Sequence, residues 1–191
     1  MGYTIPGTVL TASAEELTHT EERFRSMFLG GGIVLSQVSA VTGLEPYTVQ
    51  NWVKRGFLTP PQCKRYTLRQ LCRILNINML KGVLPMERVC AMLGYINGQL
   101  DDDSDDTIDD SRLYFMFVRL AAHAKQIDRN QGWQEAIDQV LQDYAEPIPG
   151  ARERIAQVLR IMLIAFIAAR MKDEAEMLLN QLGEGRLKSE E

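Results

Sequence analysis

Apolar residues recur at helical spacing along most of the chain, and the strict alternation of a half-buried strand is nearly absent. Residues 1–12 are expected to be irregular, with Pro6 and Gly7 among them. Ser13-Ala-Glu-Glu16 is a capping-box pattern, and the helix it opens carries Leu17, Phe24, Met27 and Phe28 on one face. Gly30, Gly31 and Gly32 stop it. They are expected to form a joint; a phosphate cradle is the weaker reading, because no Lys-Ser/Thr follows and no strand precedes. Leu35, Val38 and Val41 mark the next helix, which Gly43 ends in a left-handed conformation. Glu45 is placed to cap a further helix and Pro46 suits its first turn. Val49, Trp52 and Val53 form its inward stripe and Gly56 ends it. Pro60 and Pro61 stiffen the approach to Lys64-Arg65-Tyr66, a short wing.

Thr67-Leu-Arg-Gln70 is a second capping box, opening a helix through Leu71, Ile74, Leu75 and Met79. Gly82 and Pro85 break the pattern before a short helix through Met86, Val89, Cys90 and Leu93. From Ser111 to about residue 127 a stripe of Leu113, Phe117, Leu120, Ala121 and Ala124 is widened by Tyr114, Phe115 and Met116, which predicts burial on more than one side. Trp133 to Tyr144 is helical through Ile137, Val140 and Leu141, and Glu146-Pro-Ile-Pro-Gly150 breaks it. A last helix from Ala151 to Leu182 carries Ile155, Val158, Leu159, Met162, Phe166, Ile167, Leu178, Leu179 and Leu182, with Gly183 as its stop. The pattern predicts an all-α fold with minor β structure in the wing. The expected order is an N-terminal helix and glycine hinge (1–32), a winged helix-turn-helix (33–96), an acidic linker (97–111), a C-terminal helical bundle (112–183) and a frayed tail (184–191).

The inward stripe leaves Tyr47, Thr48, Gln50, Asn51, Lys54 and Arg55 facing outward. Amides, hydroxyls and cations on one helix face are what a major-groove reader requires. Tyr47, Thr48, Gln50 and Asn51 are expected at base edges; Lys54, Lys64 and Arg65 are expected at phosphates or in the groove beside the wing.

This run resembles the winged helix-turn-helix of the MerR regulators. The resemblance rests on Lys54-Arg55-Gly56-Phe57-Leu58, Lys64-Arg65-Tyr66-Thr67 and, for the helix pair that follows, Lys81 to Val89. The segment from about residue 15 to 125 is also similar to the bacterial family called domain of unknown function 1836, through Leu35-Ser-Gln-Val, Val49-Gln-Asn-Trp-Val-Lys-Arg-Gly, Asn76-Ile-Asn-Met-Leu, Tyr95-Ile-Asn-Gly and the Asp-rich run. The resemblance implies a DNA-binding-like fold and no established activity. Gln50-Asn51 stand where MerR proteins usually carry Arg-Tyr, so base contacts do not carry over at those positions.

Net charge is −4, but it is unevenly placed. Residues 33–90 carry eight basic and two acidic groups, net +6, while residues 91–191 are net −8. The cationic block coincides with the helix-turn-helix, which points to double-stranded DNA. Cys63, Cys72 and Cys90 lack metal-site spacing and His19 and His123 are isolated, so no metal site is expected, and the thiols fit a reducing cytoplasm. Asp101, Asp103 and Asp105 have calcium-loop spacing, but Asp106 replaces the loop glycine and Arg112 the closing glutamate. A solvated linker, with Asp109 and Asp110 favouring the next helix N-terminus, is the plainer account.

No nucleophile–base pair, phosphate loop or cofactor motif argues for an enzyme. No secretory leader is expected, and the longest apolar run, Ile161 to Ala169, is too short to span a bilayer. A transcriptional regulator is the leading expectation. An adaptor that uses the winged module to dock a protein is the alternative, and an excisionase-like architectural binder a third. Trp52 is expected in the core rather than as a stacking platform. A homodimer through the helix from Ala151 to Leu182 is also expected, because Ile161, Met162, Leu163, Ile164, Phe166 and Ile167 cover most of its circumference. A small-molecule effector has no residue to support it.

Overall fold

Helix α5 (Leu68–Leu80) is the axle of the fold. Leu71, Cys72, Ile74, Leu75, Ile77, Met79 and Leu80 are all buried, and so are the polar Gln70, Arg73 and Asn76. Such a helix must be surrounded. It packs against α3 (Leu35–Thr42), α6 (Met86–Asn97), α7 (Asp110–His123) and α9 (Ala151–Leu187), most extensively against α7. The computed structural model describes residues 3–98, 100, 107–123 and 132–187. It is mostly helical, with two small two-stranded sheets.

The N-terminal segment is more ordered than its composition predicts. β1 (Tyr3–Thr4) and β2 (Thr11–Ala12) pair antiparallel, and the turn between them lies on α5. Gly7, at φ +73°, sits so close that a Cβ there would fall 2.5 Å from the Leu75 carbonyl oxygen. Asn78 donates to the Gly7 and Thr42 carbonyls, and the Tyr114 hydroxyl donates to Pro6. Pro6 and Gly7 thus make a docking turn rather than an irregular lead. Ser13 forms the expected capping box with Glu16. The helix it opens breaks at His19 into α1 (Ala14–Thr18) and α2 (Thr20–Met27). Leu17 and Phe24 are buried, whereas Met27 reaches solvent.

The acidic stretch ends inside the core. Thr107, Ile108 and Asp110 are buried, and Asp109 Oδ1 caps α7 by accepting from the Ser111 and Arg112 amides at 2.9 and 3.1 Å. The candidate calcium ligands Asp101, Asp103 and Asp105 lie outside the described residues. Among the described residues no group of metal-ligating side chains converges. Leu113 to Val118 are all buried, the wide burial that the stripe predicts. Ala124 and the His123 side chain lie outside the described set.

Helix α8 (Gly132–Val140) ends before Leu141, earlier than expected. Tyr144 leaves the helix and its hydroxyl donates to the Thr107 carbonyl at 2.6 Å. Helix α9 does not stop at Gly183 but continues to Leu187. One glycine costs about 1 kcal/mol in a helix interior and does not by itself end one. Its first half buries Ile155, Val158, Leu159, Met162, Leu163 and Ala165; Ile161 and Ile164 face out. Among the described residues no helix is long and apolar enough to cross a membrane.

Candidate nucleic-acid interface

Two short helices and a hairpin build the surface that carries the outward polar residues. Helix α3 ends at Gly43, whose φ of +71° is left-handed and whose amide donates to Ser39. A Cβ there would also fall 2.5 Å from a methyl of the exposed Val9, which would have to turn aside, so the left-handed conformation is the main reason for glycine. Leu44 and Glu45 complete the turn, and α4 (Pro46–Lys54) follows with Pro46 in its first turn. Glu45 occupies the cap position, but its side chain makes no cap bond; its carbonyl accepts from Thr48 instead. Pro46 removes one of the free first-turn amides, and the Glu45 carbonyl takes up the Thr48 amide.

Val49 and Trp52 are buried, Trp52 with 4% exposed, so the indole belongs to the core and is no stacking platform. The Lys81 ammonium lies 5.7 Å from its ring centre, and burial holds Lys81 below the ordinary lysine range. Val53 is half-buried and lies at the edge of the stripe.

The segment expected to form a wing lies in a small sheet, in which β3 (Ile33–Val34) pairs antiparallel with β4 (Arg65–Tyr66). It folds over at Gln62-Cys63-Lys64-Arg65, where the Arg65 amide donates to the Gln62 carbonyl at 2.8 Å. Cys63 and Lys64 both have positive φ, +47° and +60°. Two consecutive left-handed residues are the mark of a type I′ hairpin turn, usually filled by Asn-Gly. A side chain there costs about 1–2 kcal/mol per residue, so Lys64 is held at the tip under strain.

The cations of the module divide into two sets. Arg73 is buried against Asp110, with Nη1 3.3 Å from the carboxylate, and its Nε donates to the Phe57 carbonyl just beyond α4. Burial pushes the Asp110 carboxyl up, and the Arg73 and Arg69 charges offset only part of that rise. Arg55 bonds Glu87 at 2.7 Å and lies over the Phe57 ring. Arg65 donates to the Gly32 carbonyl at 2.8 Å. That bond draws Gly32 against the wing, so this glycine is clamped, while Gly30 and Gly31 have open space around them. These contacts occupy Arg55 and Arg65 within the fold. The side chains of Tyr47, Thr48, Gln50, Asn51, Lys54 and Lys64 make no hydrogen bond or ion pair among the described residues. All but Thr48, which is half-buried, are exposed.

Gln50, Lys54 and Lys64 meet around an open cleft of about 830 Å³ between α3, α4 and the wing. Its remaining lining includes Val34, Leu35, Ser36, Val53, Pro61 and Tyr66. Tyr47 and Asn51 do not line it. The α3 contribution was not read from the sequence. The signal was present in Ile33-Val34, a β-branched pair whose pairing with Arg65-Tyr66 brings Ser36 beside the wing.

No solved structure matches this chain. It is 30% identical over 80 residues to "Uncharacterized protein YkrK" of Bacillus subtilis (strain 168), an alignment covering 40% of this chain. The chain spans only about a third of that relative's length, 34%. Residues 33–117, from β3 through the buried part of α7, match the family described as "Domain of unknown function (DUF1836)".

Proposed function

We propose that the protein is a sequence-specific DNA-binding protein, a transcriptional regulator that uses a MerR-like winged helix-turn-helix. α4 reads base edges with Tyr47, Thr48, Gln50 and Asn51, while Lys54 and Lys64 hold the backbone on either side of the cleft. The observation that carries this reading is the division of the polar groups. Arg55, Arg65 and Arg73 are tied into the fold, whereas the Gln50 amide and the two lysines are left to solvent around one cleft, and Asn51 is exposed outside it. Amide side chains suit adenine edges and lysines suit phosphates. Arg55 and Arg65 are each already held by a partner, Glu87 and the Gly32 carbonyl, which makes them weaker candidates than the sequence alone gave reason to expect.

A protein-docking adaptor is the second reading. The apolar lining of the cleft, Val34, Leu35, Val53 and Pro61, favours it. The two readings separate on selection of bound genomic fragments by the full chain, followed by affinity measured against salt. DNA binding through Lys54 and Lys64 gives an enriched sequence and a log–log salt slope near −2, since each phosphate contact contributes about 0.9. No enriched fragment at low salt overturns the DNA reading.

A further inference from the structure

Arg73 and Asp110 stand 37 positions apart in the sequence and meet in the core. Only 8% of the Arg73 side chain and 1% of the Asp110 side chain are exposed, yet neither group has its full set of partners. Arg73 Nη1 lies 3.5 and 3.3 Å from the two carboxylate oxygens. A close charge-assisted bond measures about 2.7–2.9 Å. Arg73 Nε is spent on the Phe57 carbonyl, and Nη2 makes no hydrogen bond among the described residues. Arg69 is the next cation, its Nε 3.9 Å from Asp110 Oδ2. Arg73 and Asp110 both line a pocket of about 480 Å³ between the start of α5 and the strip of chain that leads from α4 to β4. Pro60, Pro61 and Leu100 give it an apolar wall. Small-molecule sites typically enclose about 300–1,000 Å³, and they combine apolar walls with a few placed polar groups.

We propose that this pocket binds a free α-amino acid with an apolar side chain. Such a molecule carries a carboxylate and an ammonium on one carbon. The carboxylate accepts from Arg73 Nη2, the ammonium donates to Asp110, and the side chain lies against Pro60, Pro61 and Leu100. A ligand with both charges suits a site that presents both. A bare anion would meet the Asp110 carboxylate, and a bare amine would meet the Arg73 and Arg69 guanidiniums. Burial holds the Asp110 carboxyl above its ordinary value, and a further cation beside it offsets part of that cost. No motif marks the site in the sequence, because its two charges come from α5 and α7. The pocket also shares a wall with the α4 cleft, since Pro61 lines both. Residues on the pocket side pin that wall: Gln70 Nε2 donates to the Thr59 and Pro60 carbonyls at 3.0 and 3.1 Å. A ligand seated on Arg73 therefore acts on the strip of chain between α4 and Lys64. The site itself does not depend on what α4 contacts.

The test is titration of the full chain with L-valine, L-leucine and L-phenylalanine, followed by calorimetry. At least one should bind. The best of them is then compared with its deaminated acid and its decarboxylated amine, and each analogue should bind at least about tenfold more weakly. Leu100→Trp fills the pocket and leaves Arg73 and Asp110 in place. It should weaken the amino acid at least about tenfold while the helical circular dichroism remains. With the amino acid bound, hydrogen exchange should slow at the amides of Gln62 to Arg65. No binding by any of the three at millimolar concentration would overturn the site. So would an acid or an amine that binds as tightly as the amino acid, or a folded Leu100→Trp protein with unchanged affinity. Unchanged exchange at Gln62 to Arg65 would overturn the link to the α4 cleft.

Discussion

The outer face of α4 and the outer face of α9 are both exposed, and they differ in everything else. The α4 face is polar, and it rests on a buried foundation of Val49, Trp52 and the Arg73–Asp110 pair. The α9 face is apolar, and every residue from 171 to 182 is exposed. Exposure alone therefore says little about use. A polar face held in a fixed shape by a core can read a fixed pattern of donors and acceptors. An apolar stripe on a projecting helix answers to another apolar surface. The contrast also sets where damage is felt: substitutions beneath α4 should cost stability, and substitutions on α9's far half should not.

The largest effects are expected beneath α4. Arg73→Met leaves the buried Asp110 with only the more distant Arg69, 3.9 Å away, and frees the Phe57 carbonyl. Denaturation at neutral pH should show a loss of about 3–5 kcal/mol. Burial already holds the Asp110 carboxyl above its ordinary value. In the wild type this group therefore favours the fold in acid, and that contribution fades as pH rises through the raised value. In Arg73→Met the value rises further, so the cost should be greatest at neutral pH and shrink in acid. Trp52→Ala should cost about 3–5 kcal/mol in a thermal or urea melt. A stable Trp52→Ala protein would place the indole outside the foundation of the α4 face.

On the α4 surface itself, Gln50→Ala or Asn51→Ala should leave the melt unchanged. Each should relax sequence preference by about 1–3 kcal/mol in competition binding. Lys64→Gly should act in opposite directions on stability and binding: about 1 kcal/mol more stable from relief of the left-handed strain, with a salt slope flatter by about one unit. The smallest effect is assigned to α9. Leu182→Glu should change the unfolding free energy of the single chain by no more than about 0.5 kcal/mol. A larger loss would mean that the far half of α9 is part of the core, and the contrast between the two faces would fall.

Helix order was legible in the sequence because caps and glycines are local signals. Ser13, Thr67 and Gly43 do what their types predict. What could not be read is long-range. The docking turn at Pro6 and Gly7 depends on Leu75, Asn78 and Tyr114, which no local pattern connects to it. The buried role of Asp110 depends on Arg73, and a run of aspartates reads as solvated until its partner is known. The outward face of α4 was legible from the spacing of Val49 and Trp52. The occupation of Arg55 and Arg65 was not, since Glu87 and the Gly32 carbonyl reach them only through the fold.

The Arg73–Asp110 contact bears on how this protein can be cut. A fragment ending after α6 would keep the guanidinium and discard the carboxylate. It would also strip α7 from the side of α5 and remove Tyr114 from Pro6. A fragment starting at residue 33 would lose the Gly7 turn as well. An expression boundary for the α4 surface therefore belongs after the buried stretch of α7 and before Tyr3. Isolated peptides covering only the two short helices and the wing are poor substitutes for the chain in binding assays.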